Sequence, residues 1–217
     1  MKKSFFLLNK KENEILIKSI YQVLKNINIS LKKTKQYIIL TIICDSCELF
    51  IDKIKECKQK YIYLNLFLLN SIKQIQYLEN QKHSYYLLNP KYIYIINDEI
   101  TIIIDENINE IINNEIRITN IFEKKLCSPE LYKINNIPNN INYKSVYFSI
   151  SLFLLKNLID IEDNIFYQLK EEESIEKKIY LLIKIDNWLN EIKYSKMYWF
   201  IKKNLSINEK GRNLVYI

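Results

Sequence analysis

Between Glu12 and Lys25 the apolar residues Ile15, Leu16, Ile20, Val23 and Leu24 recur three and four positions apart, a spacing that predicts a helix with one buried face. Tyr37 to Ile43 is a continuous, β-branched run of the kind that forms a buried strand. Asp45 or Ser46 can cap a short helix after it, with Leu49, Phe50 and Ile54 on one side. The strongest helical pattern runs from Lys60 to Leu78, where Tyr61, Leu64, Leu68, Ile72, Ile75 and Leu78 share a repeat and further Ile and Leu predict burial on most sides. Two β-branched, aromatic-rich runs between Tyr92 and Ile104 flank Asn97, Asp98 and Glu99, which predicts a hairpin. Ser128-Pro129-Glu130 reads as an N-cap, a proline at the first helical position and an acid in the first turn. After the turn-rich stretch Asn135 to Asn142, helices are expected over Tyr143 to Leu158, about Ser174 to Glu191, and Ser195 to Leu205. The order is mixed α/β first and mainly helical afterwards, with no repeat and no Pro/Gly/Ser linker.

Composition narrows the chemistry. With 48% hydrophobic residues among 217, the chain can bury a sizeable core. Gly211 is the single glycine, so no glycine-rich phosphate loop can be written. The net charge of +7 is almost all lysine; Arg117 and Arg212 are the only arginines, and the planar recognition of phosphate and guanine is nearly absent. The lysines therefore read as scattered and solvated, and neither a nucleic acid nor a membrane is expected as partner. Lys, Asn, Ile and Tyr rise together as the coding bias of an AT-rich genome would give. The run Phe5 to Leu8 falls short of a secretory signal and Val146 to Leu155 is too short to span a bilayer, so an intracellular protein, cytoplasmic or nuclear, is expected. Cys44 and Cys47 form one C-x-x-C, but a zinc site would need more ligands from Cys57, Cys127 or the lone His83, and ordinary buried thiols are the expectation.

Several short strings, in this order, resemble the protein-kinase domain entered partway through its small lobe. YIILTIICDSCELFIDKIK (Tyr37 to Lys55) is similar to the last small-lobe strand, the hinge and the first large-lobe helix, and Lys60 to Gln81 to the long helix that follows. YYLLNPKYIYI (Tyr85 to Ile95) resembles the catalytic loop H-R-D-L-K-P-E-N-I-L-I, keeping Leu88, Pro90 and Ile93 in register. Asp105-Glu106-Asn107 resembles the D-F-G motif, Ser128-Pro129-Glu130-Leu131-Tyr132 the A-P-E motif with its helix, Tyr143 to Leu155 the buried central helix, and Asn208 to Asn213 the late segment ending in Arg212. The resemblance spans about residues 11 to 217 and implies an α+β, protein-kinase-like fold: a remnant small lobe over 1–45, with one helix and one or two strands, and a mainly helical large lobe over 46–217.

The departures decide the expected function. The catalytic-loop aspartate and asparagine positions fall on Leu87 and Tyr92, so the proton acceptor is missing and one Mg²⁺ ligand with it. Residues 1–11 are too few for the three strands that carry the glycine loop and the phosphate-binding lysine; Glu14 could match the family's helix glutamate, but without that lysine. Asp105 alone remains as a vestigial metal ligand, and no cofactor is expected. What the resemblance retains is structural: Glu130 and Arg212 match a buried ion pair that ties the activation segment to the helical base. The expectation is a catalytically inactive kinase-like protein, a pseudokinase, acting as scaffold or regulator. It would bind a protein partner, or a second copy, through an apolar patch on the exposed small-lobe side. A second reading keeps a metal on Asp105 with Asp98, Glu99 or Glu106 as base for divergent phosphoryl transfer; a third is an unrelated, helix-rich interaction domain.

Overall fold

The computed structural model describes residues 1–159, 183–206 and 208–214. Mixed helix and sheet runs through it, in two compact units: Met1–Tyr85 with Asn89–Asn114, and Tyr86–Leu88 with Glu115–Ile217. This partition follows packing and differs from a division at residue 45.

In the first unit, β1 (Lys2–Leu8), β2 (Asn28–Lys33) and β3 (Tyr37–Ile43) form an antiparallel sheet in the order β1-β3-β2. Its inner face is set by alternation: Phe5 and Leu7 of β1 and Ile38, Leu40 and Ile42 of β3 are buried, while Phe6, Leu8, Tyr37 and Ile43 face out. Between β1 and β2 the chain forms α1 (Lys11–Val23), whose Leu16, Ile17, Ile20 and Val23 are buried and whose first turn carries Glu12 and Glu14. Residues 1–45 thus hold three strands, where the sequence leads one to expect one or two. β1 contains the short apolar run Phe5 to Leu8, which as sequence reads only as a secretory signal that falls short, and β2 is an exposed edge strand whose lysines mask any alternation.

β4 (Cys47–Leu49), β6 (Ile93–Ile96) and β7 (Ile100–Ile103) form a second antiparallel sheet in the order β4-β6-β7. The short helix α2 (Phe50–Glu56) starts at Phe50, not behind a cap at Asp45 or Ser46. The residues after Ser46 pair with β6 instead of opening a helix, and Asn97 fixes the corner, its Oδ1 accepting the N–H groups of Asp45 (2.8 Å) and Ser46 (3.1 Å). Asn97 and Asp98 turn the β6–β7 hairpin with φ of 51° and 57°, a left-handed geometry that these two residue types tolerate. The long helix α3 (Lys60–Asn80) packs on β7 and α1, burying Leu64, Phe67, Leu68, Ile72, Ile75 and Leu78; the Phe50 and Phe67 rings stack at 5.3 Å. Each such side chain contributes roughly 1.5–3 kcal/mol on burial. β5 (His83–Tyr85) pairs with β8 (Ile108–Ile112).

The second unit contains β9 (Glu115–Ile118) paired with β10 (Asn139–Asn142), the short helix α4 (Pro129–Tyr132), and α5 (Ser145–Ile159), buried from Ser145 to Leu155. The helix Lys196–Asn204 packs on α5, with Ser195 accepting the Tyr198 N–H as its cap (3.1 Å). Of the helix expected near 174–191, residues 183–188 are helical and those before 183 lie outside the described residues. No helix among the described residues is long and apolar enough to cross a membrane.

Candidate functional site

A cleft of ≈ 460 Å³ in the first unit runs beside β1 and is lined by Lys3 to Leu7, Tyr92, Tyr94 and Ile104 to Asn107. Its one deeply buried acid is Asp105, just past the end of β7 and 3% exposed. Asp105 Oδ1 accepts the Asn107 N–H (2.9 Å) and the Asn107 amide (2.7 Å), closing a tight local turn. Burial pushes its carboxyl above the usual carboxylate range, and those two hydrogen bonds oppose the rise. The same burial, reinforced by the charge of Asp105, raises the Tyr85 phenol well above its ordinary value.

Glu106 points differently. Its Oε2 accepts the Asn13 amide (2.6 Å) and the Leu8 N–H (3.0 Å), and Lys10 Nζ donates to its backbone carbonyl (3.2 Å). Glu106 therefore stitches the end of β1 and the start of α1 to the segment after β7. Tyr94 lies across the cleft from β1, with the Phe5 ring edge-on at 4.9 Å and Lys3 Nζ 5.9 Å from its centroid. The support beneath Asp105 comes from a residue that sequence reasoning passed over: Gln74 of α3, fully buried, donates to the Ile103 carbonyl (2.6 Å) and accepts the Ile103 N–H (3.0 Å). Its only sequence signal is a polar residue within an otherwise apolar helix face.

Tyr92 is exposed and lies on this cleft, at the end of the 3₁₀ turn Pro90–Tyr92, and its carbonyl accepts the Ile104 N–H (2.8 Å). Leu87 belongs to the other unit and is half-buried. Asp98 is on the hairpin turn, paired with Lys53 (2.6 Å), whose ammonium is raised chiefly by that hydrogen bond. Glu14 pairs with Lys33 on the surface, a contact that lowers its carboxyl. All four cysteines are free thiols, and no group of three or more His, Cys, Asp or Glu among the described residues is arranged to hold a metal. Cys47 is pushed up to about 11 and Cys127 to about 12, each mainly by burial, so neither is an activated nucleophile.

The second unit brings together the residues expected to act structurally. Ser128 caps α4 by accepting the Leu131 N–H (3.4 Å), and its hydroxyl also meets Ser145 at 2.7 Å; Pro129 occupies the first helical position. Arg212 Nη1 donates to Glu130 Oε1 at 2.5 Å and Nη2 to Oε2 at 3.0 Å, a bidentate pair across 82 residues. The Arg212 side chain is 0% exposed and that of Glu130 is 20% exposed. Nε donates to the Ser206 carbonyl (2.9 Å), and the guanidinium lies 5.0 Å from the Phe148 ring centroid. Gly211 contributes no special freedom: it ends a 3₁₀ turn without positive φ, and an added Cβ would meet only Ser206 Oγ, at 3.8 Å.

Protein-family models and curated proteins, searched with this chain, give no match.

Proposed function

We propose that this chain is a kinase-like protein without kinase activity, a pseudokinase, that works as a scaffold or regulator through contacts with another protein. The observation that carries the reading is the contrast between its two carboxylate sites. Glu130 and Arg212, matched by the resemblance to a structural ion pair, form a bidentate contact, while the acids of the cleft have their side-chain oxygens taken by neutral donors of the fold: Asp105 by Asn107, Glu106 by Leu8 and Asn13. Leucine and tyrosine at 87 and 92 supply neither the proton acceptor nor the amide oxygen that phosphoryl transfer uses. An intracellular setting, cytoplasmic or nuclear, agrees with four cysteines left as thiols.

The divergent-enzyme reading has one observation in its favour, a buried carboxyl with a raised proton affinity at the wall of a cleft. ATP separates the two. Thermal shift with ATP and Mg²⁺ is expected to leave the melting temperature unchanged, since a ligand at 100 times its Kd would stabilise by about 2.7 kcal/mol. A rise that Asp105→Asn removes would replace this reading with the enzymatic one.

A further inference from the structure

The free edge of β1 combines unpaired backbone, exposed apolar side chains and uncompensated positive charge. Register and ladder bonds define which backbone groups are open. Met1 and Cys44 exchange both backbone bonds, the N-terminal amine donating to the Cys44 carbonyl and the Cys44 N–H to the Met1 carbonyl at 3.1 Å; Asn9 N–H reaches Gln36 at the other end (2.8 Å). The pairing between them runs without a bulge from Lys2↔Ile43 to Leu8↔Tyr37. Hydrogen-bonded pairs alternate in an antiparallel ladder, so Lys3, Phe5 and Leu7 bond to β3 while Lys2, Ser4, Phe6 and Leu8 direct N–H and C=O to the outer edge. Leu8 is already capped, its N–H by Glu106 and its carbonyl by Asn13 (2.9 Å). The edge that remains open among the described residues, Lys2 to Phe6, borders the cleft.

We propose that this edge takes an extended peptide of a partner protein as an added strand, one whose residues are apolar at one end and acidic at the other. The inference deepens the protein-contact reading and rests on it. Strand addition derives affinity from main-chain bonds and specificity from alternate side chains. In an antiparallel addition, a residue opposite Phe6, which is 64% exposed, lies on the outer sheet face, and its successor opposite Phe5 enters the cleft towards Tyr94 and Ile104. Both should be apolar. The residues opposite Lys3 and Lys2 follow two and three positions later, and both should be acidic.

Charge identifies the occupant. Residues 1–45 hold nine lysines and no arginine against Glu12, Glu14 and Asp45, a net +6 of the chain's +7. Lys2 and Lys3 have no ion pair among the described residues. A second copy would set one such surface against another, and an edge without arginine lacks the planar fork that phosphate recognition favours.

The probe is a fluorescein-labelled peptide, Thr-Ile-Val-Ser-Glu-Glu-Thr, read by anisotropy against the full chain. It should bind, and binding should weaken as NaCl is raised. Ser4→Pro removes an N–H that points away from β3, so the fold should survive by circular dichroism while affinity falls at least about tenfold. Should that variant not fold, methylating the alternate backbone nitrogens of the peptide tests the same bonds on the unaltered protein, with the same loss expected. Lys2→Glu with Lys3→Glu should lose this peptide and gain its Lys-Lys counterpart. Full affinity after methylation, indifference to charge reversal, displacement by a single-stranded oligonucleotide, or a dimer in sedimentation that Ser4→Pro dissociates would each overturn the proposal. ATP-dependent stabilisation beside intact peptide binding would sink only the inactive reading; failure of the peptide to bind, whatever ATP does, sinks the strand site.

Discussion

Asp105 and Glu130 are both carboxylates withdrawn from water, yet their surroundings have opposite designs. Glu130 faces a guanidinium in a fork geometry and keeps a fifth of its side chain exposed. Asp105, at 3% exposure, faces an asparagine amide and a backbone N–H, with no cation in hydrogen-bonding contact among the described residues. The first arrangement compensates the charge and locks two distant stretches of chain together; the second leaves desolvation only partly offset. A fold gains nothing in stability from the second, which is why the cleft, and not the ion pair, is where ligand chemistry would be sought.

The sharpest way to break the comparison is to remove one member of the pair. Glu130→Ala takes both fork acceptors from a fully buried guanidinium and should cost about 3–5 kcal/mol in urea unfolding, with Arg212→Ala towards the lower end because the carboxylate left behind can reach water. Arg212→Lys should rescue only in part, lacking the fork and the bond to Ser206. In the double-mutant cycle the second substitution should add little to the first. Additive losses would make the pair a bystander, and the contrast with Asp105 would lose its meaning.

Gln74 sharpens the same contrast from the cleft side, since it is the structural polar group in the unit that holds Asp105. Gln74→Leu leaves both the N–H and the carbonyl of Ile103 without their partner, at about 1–3 kcal/mol for each buried group. A loss of about 3 kcal/mol is too easily blurred by one probe alone, so unfolding should be followed by both fluorescence and far-ultraviolet dichroism. If the variant is as stable as the parent, the strand end beneath Asp105 is held by packing and not by the amide.

What could be read ahead of the structure follows the range of the forces involved. Tyr37 to Ile43 and Lys60 to Leu78 were legible because burial writes a local pattern into them, and Ser128-Pro129 because a cap is chosen by its neighbours. Asp45-Ser46 misled because the residues that would have opened the helix, Cys47 to Leu49, pair with a strand far along the chain, Tyr94 to Ile96. β2 left little pattern because an exposed edge has no buried face to encode. Glu130 and Arg212 could be joined only through a proposed resemblance in the order of short strings; neither charge by itself points to the other. Gln74 shows in the sequence only as a polar residue on a buried helix face, and its partners, the backbone groups of Ile103, carry no signature at all.

The smallest effect tests the other half of the comparison, and its sign is fixed by linkage. Because burial raises the Asp105 carboxyl above its unfolded value, the folded chain binds more protons here than the unfolded chain between the ordinary value of 3.8 and the raised one. Stability from this group is fully present below that window and is lost as pH rises through it, so at neutral pH the ionised side chain weighs against the fold. Asp105→Asn keeps an oxygen to accept both Asn107 donors and removes the charge. The variant should be more stable than the parent at pH 7.5, by less than either loss above, and the gap should close as pH falls below about 4. Parent and variant curves that run parallel from pH 4 to 8 would show Asp105 to be as well compensated as Glu130, and the cleft would then lose its claim to be the less settled of the two sites.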